Sequence, residues 1–181
     1  MKNSILTLLI AFGLSLNAFA QNLPVDAGTG KITYLEVVDA AGVKPTDLLK
    51  VVKDWATKQG FTIKEETAEK LVYNASTNVE YPNINGSSTE KSAITFTISV
   101  FIKDGKYRYI ATDFVHVGDV KVKAIGGKLE NVTPECGATK MTSKSWVLIK
   151  TKTNSNLVAL TDDLKRVVKE FQNDPANKSD W

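Results

Sequence analysis

The chain has 181 residues, 43% of them hydrophobic and 24% charged, an ordinary globular composition and not a disordered one. Lys and Arg number 23 against 20 Asp and Glu, so the formal charge of +3 supplies no strong basic field for nucleic acid or anionic lipid. A single His and a single Cys leave little material for metal or covalent catalysis, and no cofactor is implied.

Residues 1–20 read as an export signal. Lys2 gives the positive start, Ile5 to Leu16 the apolar run, and Ala18-Phe19-Ala20 the small-x-small cleavage pattern, so the processed chain is expected to begin at Gln21. The apolar run is shorter than the ~20 residues a membrane span needs, and no other segment is apolar enough to cross a bilayer. The expected location is therefore periplasmic or secreted. The remainder, about 160 residues, can bury roughly 70% of its unfolded surface without staples. It is expected to form one domain over 21–172, followed by a flexible tail over 173–181. Cys136 then has no intramolecular partner and reads as an inert small side chain.

Residues 31–39 are rich in β-branched and aromatic types and predict a first strand. Pro45 suits the first position of a helix, Asp47 favours its dipole, and Leu48, Val51, Val52 and Trp55 recur at helical spacing until Gly60 stops it. Strands are expected over 61–66 and 70–81, then a polar loop over 82–89. Ser92 to Lys103 alternates strictly, Asp104-Gly105 offers a two-residue type I′ turn, and 106–117 returns. Pairing Lys103 with Lys106 sets the register. Ile102, Val100 and Ile98 then face Tyr107, Tyr109 and Ala111 in the core. On the opposite face Phe101 meets Arg108, Ser99 meets Ile110, Thr97 meets Thr112 and Thr95 meets Phe114, unless a bulge flips part of the set.

Gly118-Asp119 suggests a turn into a strand over 120–125, with Gly126-Gly127 turning again. Residues 146–153 suit strand or helix. Leu157, Leu160, Leu164, Val167, Val168 and Phe171 predict an amphipathic helix to about Gln172, with Asn154 or Ser155 as its cap. Strand, helix, a run of antiparallel strands and a final helix predict an α+β fold, an antiparallel sheet with two helices packed on one face. The element order, the Leu-Leu-Lys-Val-Val-Lys-Asp-Trp helix at 48–55 and the hairpin from Ile94 to Tyr109 resemble the bacterial DUF4468 family. That resemblance implies a TBP-like fold, export and no assigned functional residue.

No catalytic signature stands out. His116 lies at a strand end and reads as structural. Glu65-Glu66 points to opposite faces of a strand, and Asp162-Asp163 reads as two acids in the first turn of the last helix. Gly28-Thr29-Gly30-Lys31 echoes a phosphate loop but lacks the full spacing and precedes a strand.

What remains is the outer sheet face, where Phe101, Ile110 and Phe114 are expected beside Arg108, either open or covered by residues 118–140. Roughly 400 Å² of apolar burial there would contribute on the order of 10 kcal/mol gross, against an association cost of ~4–15 kcal/mol. The sequence thus predicts a non-enzymatic envelope protein that binds an envelope protein or cell-surface component through Phe101, Arg108, Ile110 and Phe114. The alternative is a carrier or sensor holding a small apolar ligand between sheet and helices.

Overall fold

A computed structural model describes residues 23–118 and 124–177. The expected signal over 1–20 and strand over 120–125 lie wholly or largely outside the described residues. Six strands form one antiparallel sheet in the order β1-β5-β4-β3-β2, with β6 beside β5. In chain order these are β1 (Tyr34–Asp39), α1 (Pro45–Lys58), β2 (Thr62–Glu66), β3 (Lys70–Pro82), β4 (Thr89–Lys103), β5 (Lys106–Val117), β6 (Gly127–Lys128) and α2 (Ser143–Asn173). Both helices pack on one face, α1 against β4 and α2 against β3 and α1.

Helix α1 begins and ends as its sequence dictates. Pro45 occupies the first turn with Asp47 beside it. At the far end Gly60 adopts φ +74°, and the amides of Gly60 and Phe61 bond the carbonyls of Thr57 and Ala56. This closes the orphan carbonyls in a Schellman motif.

The hairpin register holds from Lys103↔Lys106 through Thr97↔Thr112 and then slips, because Asp113 and Phe114 together oppose Phe96. Asp113 takes φ +62°, the left-handed conformation that Asp tolerates better than most side chains, and this builds a bulge. Beyond it Ala93 pairs with Val117, and Ile94 with His116. Phe114 consequently turns inward. It is fully buried, stacks on Phe96 at 5.1 Å between centroids and meets Tyr34 edge-on at 5.7 Å. The expectation that Phe114 lies on the outer face is thereby corrected. The turn itself also differs from type I′: Gly105 has φ +66°, but Asp104 is not in the left-handed region that type I′ requires of both central residues.

Helix α2 is a single 31-residue helix, so residues 146–153 are helical. Its cap is Thr142, whose hydroxyl accepts from the Ser145 amide at 3.0 Å, and not Asn154 or Ser155. The polar run that imitates a cap is absorbed by tertiary partners. Asn154 accepts from the Tyr34 hydroxyl at 2.7 Å, Asn156 donates to Thr77 Oγ1 and the Asn78 carbonyl, and Ser155 bonds the Thr151 carbonyl within the helix. The buried stripe runs through Trp146, Ile149, Thr153, Leu157, Thr161, Leu164 and Val168. After the helix, 175–177 forms one 3₁₀ turn, with Asn177 Nδ2 bonding the Phe171 carbonyl, so the expected tail is structured at its start.

Asp162 and Asp163 therefore sit mid-helix and not in a first turn. Asp163 accepts from Trp55 Nε1 and Gln59 Nε2, both at 3.0 Å, clamping α1 to α2. Lys165 bridges Asp162 and Glu36, while the Tyr109 hydroxyl donates to Glu36 at 2.6 Å. The Tyr109 donor holds the Glu36 carboxyl below its usual range, with Lys165 assisting, and burial pushes Tyr109 up to about 12. This network ties edge strand β1 to α2.

Candidate binding face

The face opposite the helices is built from side chains that alternate with the core residues of the same strands. One cross-strand row runs Val37, Arg108, Phe101, Lys70, and the next runs Leu35, Ile110, Ser99, Val72. Leu35 and Val37 are 56% and 58% exposed, Arg108 is exposed, and Phe101 and Ile110 are half-buried. Three of the four residues expected here, Phe101, Arg108 and Ile110, are thus brought together, and Phe114 is removed to the core. Sequence reasoning missed Leu35 and Val37, although the alternation of β1 already carries them to one side.

The described part of the segment once expected as a cover packs elsewhere. Residues 124–142 wrap the end of the sheet on the helix side: Leu129 is buried and bonds the Phe114 carbonyl, and the Asn131 carbonyl accepts from Trp146 Nε1 and Lys150 Nζ. None of these contacts reaches Phe101.

Around Phe101 the face sinks into a cleft of about 510 Å³ between the β2–β3 and β4–β5 turns. Phe101, Val37 and Thr67 line it together with Lys70, Lys103, Lys106 and Arg108, against one carboxylate, Glu69. The Arg108 guanidinium lies over the Phe101 ring at 4.6 Å and the Lys70 ammonium at 5.7 Å. Stacking on the ring holds both cations in place without neutralising them. Lys70 also pairs with Glu65 at 2.9 Å, whereas Lys103, Lys106 and Arg108 have no ion pair among the described residues. The chain's near-neutral balance hides this local excess, three of whose cations share the β4–β5 hairpin while β3 brings the fourth, Lys70, alongside.

His116 occupies the opposite environment. It is fully buried between Tyr81 and Trp146. Its Nδ1 accepts the Gly126 amide at 2.9 Å, which places the ring proton on Nε2, where it donates to Ser92 Oγ at 2.8 Å. Burial lowers its pKa to about 4, so the ring is neutral. A Cβ at Gly126 would run into the Trp146 ring, so glycine is required for that amide to reach the imidazole. Burial pushes the Cys136 thiol up, away from the thiolate that reactivity needs. Glu65 and Glu66 pair with Lys70 and Lys53 respectively. Among the described residues no group of three or more His, Cys, Asp and Glu is placed to hold a metal, and no helix is long and apolar enough to cross a membrane.

The architecture is α+β, a six-stranded antiparallel sheet with two helices on one face, and solved structures with a TBP-like fold superpose on it. A TBP-like protein from Parabacteroides distasonis ATCC 8503 superposes with a TM-score of 0.61 at 18% identity, covering 81% of this chain and 97% of its own. A DUF4468 family protein from Bacteroides ovatus ATCC 8483 gives 0.54 at 12% identity, covering 84% and 91%. Residues 34–116 match the model of DUF4468, a domain of unknown function with TBP-like fold. A search of curated proteins finds no match.

Proposed function

We propose that the protein is an exported, non-enzymatic envelope protein that uses its uncovered sheet face to bind an envelope or cell-surface partner. The observation that carries this is the face itself. Leu35 and Val37 stand more than half exposed beside Phe101 and Arg108, with no described segment packed over them. Apolar side chains grouped on one solvated sheet face are what an interface requires. The centre of the helix side is filled by Trp55, Trp146, Tyr107 and Phe114, all fully buried, and the cleft of about 420 Å³ left between β3 and α2 is lined mostly by polar residues, Ser76, Thr77, Asn78, Asn156 and Asp163 among them, which disfavours an apolar carrier pocket there.

The test is crosslinked capture of the protein in envelope extract beside a Phe101→Glu variant. Retention of fold with loss of a specific partner supports the proposal. Equal capture by both forms contradicts it. Export is tested in the same preparation, where the mature amino terminus is expected at Gln21; a protein recovered with residues 1–20 intact contradicts it.

A further inference from the structure

We propose that the Phe101 cleft recognises an acidic oligosaccharide, one bearing carboxylate or sulfate groups on successive sugar rings. This rests on the sheet face being the binding surface and goes on to name what it binds.

The cleft combines two features. Its apolar lining is Phe101 and Val37, and its charged lining is Lys70, Lys103, Lys106 and Arg108 against Glu69, with Arg108 and Lys70 lying over the Phe101 ring. Of the acids around it, Glu65 pairs with Lys70, Asp39 lies opposite Lys106 on β1 and Asp104 follows Lys103 in the turn, and none of these forms an ion pair with Lys103, Lys106 or Arg108 among the described residues. Neighbouring strands lie ~5 Å apart and alternate residues along a strand ~7 Å apart. The cations are therefore distributed over a patch that one compact anion cannot span, whereas anions repeated along a chain can meet them in turn.

The main-chain groups beneath the cleft are committed to one another: Arg108 pairs with Phe101, Phe101 with Lys70, and Val37 with Arg108. An occupant gains no backbone hydrogen bonds from β3, β4 or β5 there, and only the outer edge of β1 stays open. An extended peptide is normally recognised through such bonds at a sheet edge, so it loses its main source of affinity in this position. A sugar ring instead presents an apolar C–H face to Val37 and the Phe101–Arg108 stack while its charged substituents reach the surrounding cations. The volume, about 510 Å³, falls in the range of small-ligand sites. A long nucleic acid is disfavoured by the formal charge of +3 and the confinement of the cations to one end of the face.

Binding is measured by calorimetry with the full chain, using a heparin-derived tetrasaccharide and a tetragalacturonate as acidic probes. Maltotetraose, pentaglutamate and a short oligothymidylate serve as contrasts. The expected result is binding of at least one acidic saccharide that weakens with added salt and falls roughly tenfold in Arg108→Glu, with maltotetraose silent. The exposed pair Lys103→Glu, Lys106→Glu gives a second variant should the first not fold, with the same expected loss. Tighter binding of pentaglutamate or oligothymidylate than of either acidic saccharide overturns the assignment. So does equal binding of maltotetraose, or no binding by the acidic saccharides. If the acidic probes fail while Phe101→Glu still abolishes partner capture, the ligand class falls and the face stands. If capture survives Phe101→Glu, it is the face that falls.

Discussion

The two faces of the β4–β5 hairpin carry nearly the same kinds of side chain and do opposite things with them. On the helix side Phe96, Phe114 and His116 are buried, stacked and hydrogen-bonded, and the imidazole is held neutral. On the other side Phe101 and Arg108 stack on each other in an open cleft, with Leu35 and Val37 exposed alongside. Aromatic and titratable residues mark neither face as functional by their type. What separates them is whether another layer packs on top, and for Phe114 that outcome turns on a single extra residue.

That contrast is broken most severely by truncating the inward ring. Phe114→Ala should cost about 3–5 kcal/mol, because a fully buried aromatic leaves a cavity against Phe96 and Tyr34, while Phe101→Ala should cost about 1 kcal/mol or less. Urea unfolding of the two variants checks this, and similar losses at both positions would erase the distinction between the faces.

A pH titration sharpens the same comparison from the helix side. The folded-state pKa of His116, about 4, lies below the ordinary value of 6.5, so the unfolded chain takes up a proton before the native one. The contribution is complete above pH 6.5 and is lost as pH falls from 6.5 toward 4, amounting to at most ~3 kcal/mol at 1.36 kcal/mol per unit. His116 is the sole histidine, so its ring proton resonance can be followed without ambiguity. A midpoint near 4 is expected, and a midpoint near 6.5 would mean that the imidazole is solvated.

The smallest of these effects probes the bulge that sorts the two phenylalanines. Asp113 holds φ +62°, and its carboxylate pairs with Lys31 at 2.6 Å on the surface. Asp113→Val places a β-branched residue in the left-handed region and should cost about 1–2 kcal/mol, whereas Asp113→Gly should be close to neutral, trading an exposed ion pair for relief of strain. Equal destabilisation by Val and Gly would shift the explanation from backbone conformation to the ion pair.

These residues also show what could be read from the chain alone. The alternation of 92–103 and the helical spacing of 48–55 express one period each, so strand, helix and the register as far as Thr97↔Thr112 were legible, as were Phe101, Ile110 and Arg108 on one face. Phe114 was not, because a bulge at a non-glycine residue leaves the local pattern almost unchanged while inverting every side chain after it. The start of α2 was masked in a different way: Asn154, Ser155 and Asn156 have the composition of a cap, and only their partners Tyr34, Thr77 and Asn78, distant in sequence, show them to be mid-helix. The basic cleft was only partly legible: pairing Lys103 with Lys106 and Phe101 with Arg108 already gathers three of its cations on one hairpin, whereas Lys70 joins them only through the register of β3 on β4.

The central claim, that the face carrying Phe101 serves binding and not folding, is tested most directly by the unfolding midpoint of Phe101→Glu in urea. A midpoint close to that of the unaltered protein, with partner capture lost, is the predicted result. A variant that unfolds, or one that folds and still captures its partner, would contradict it.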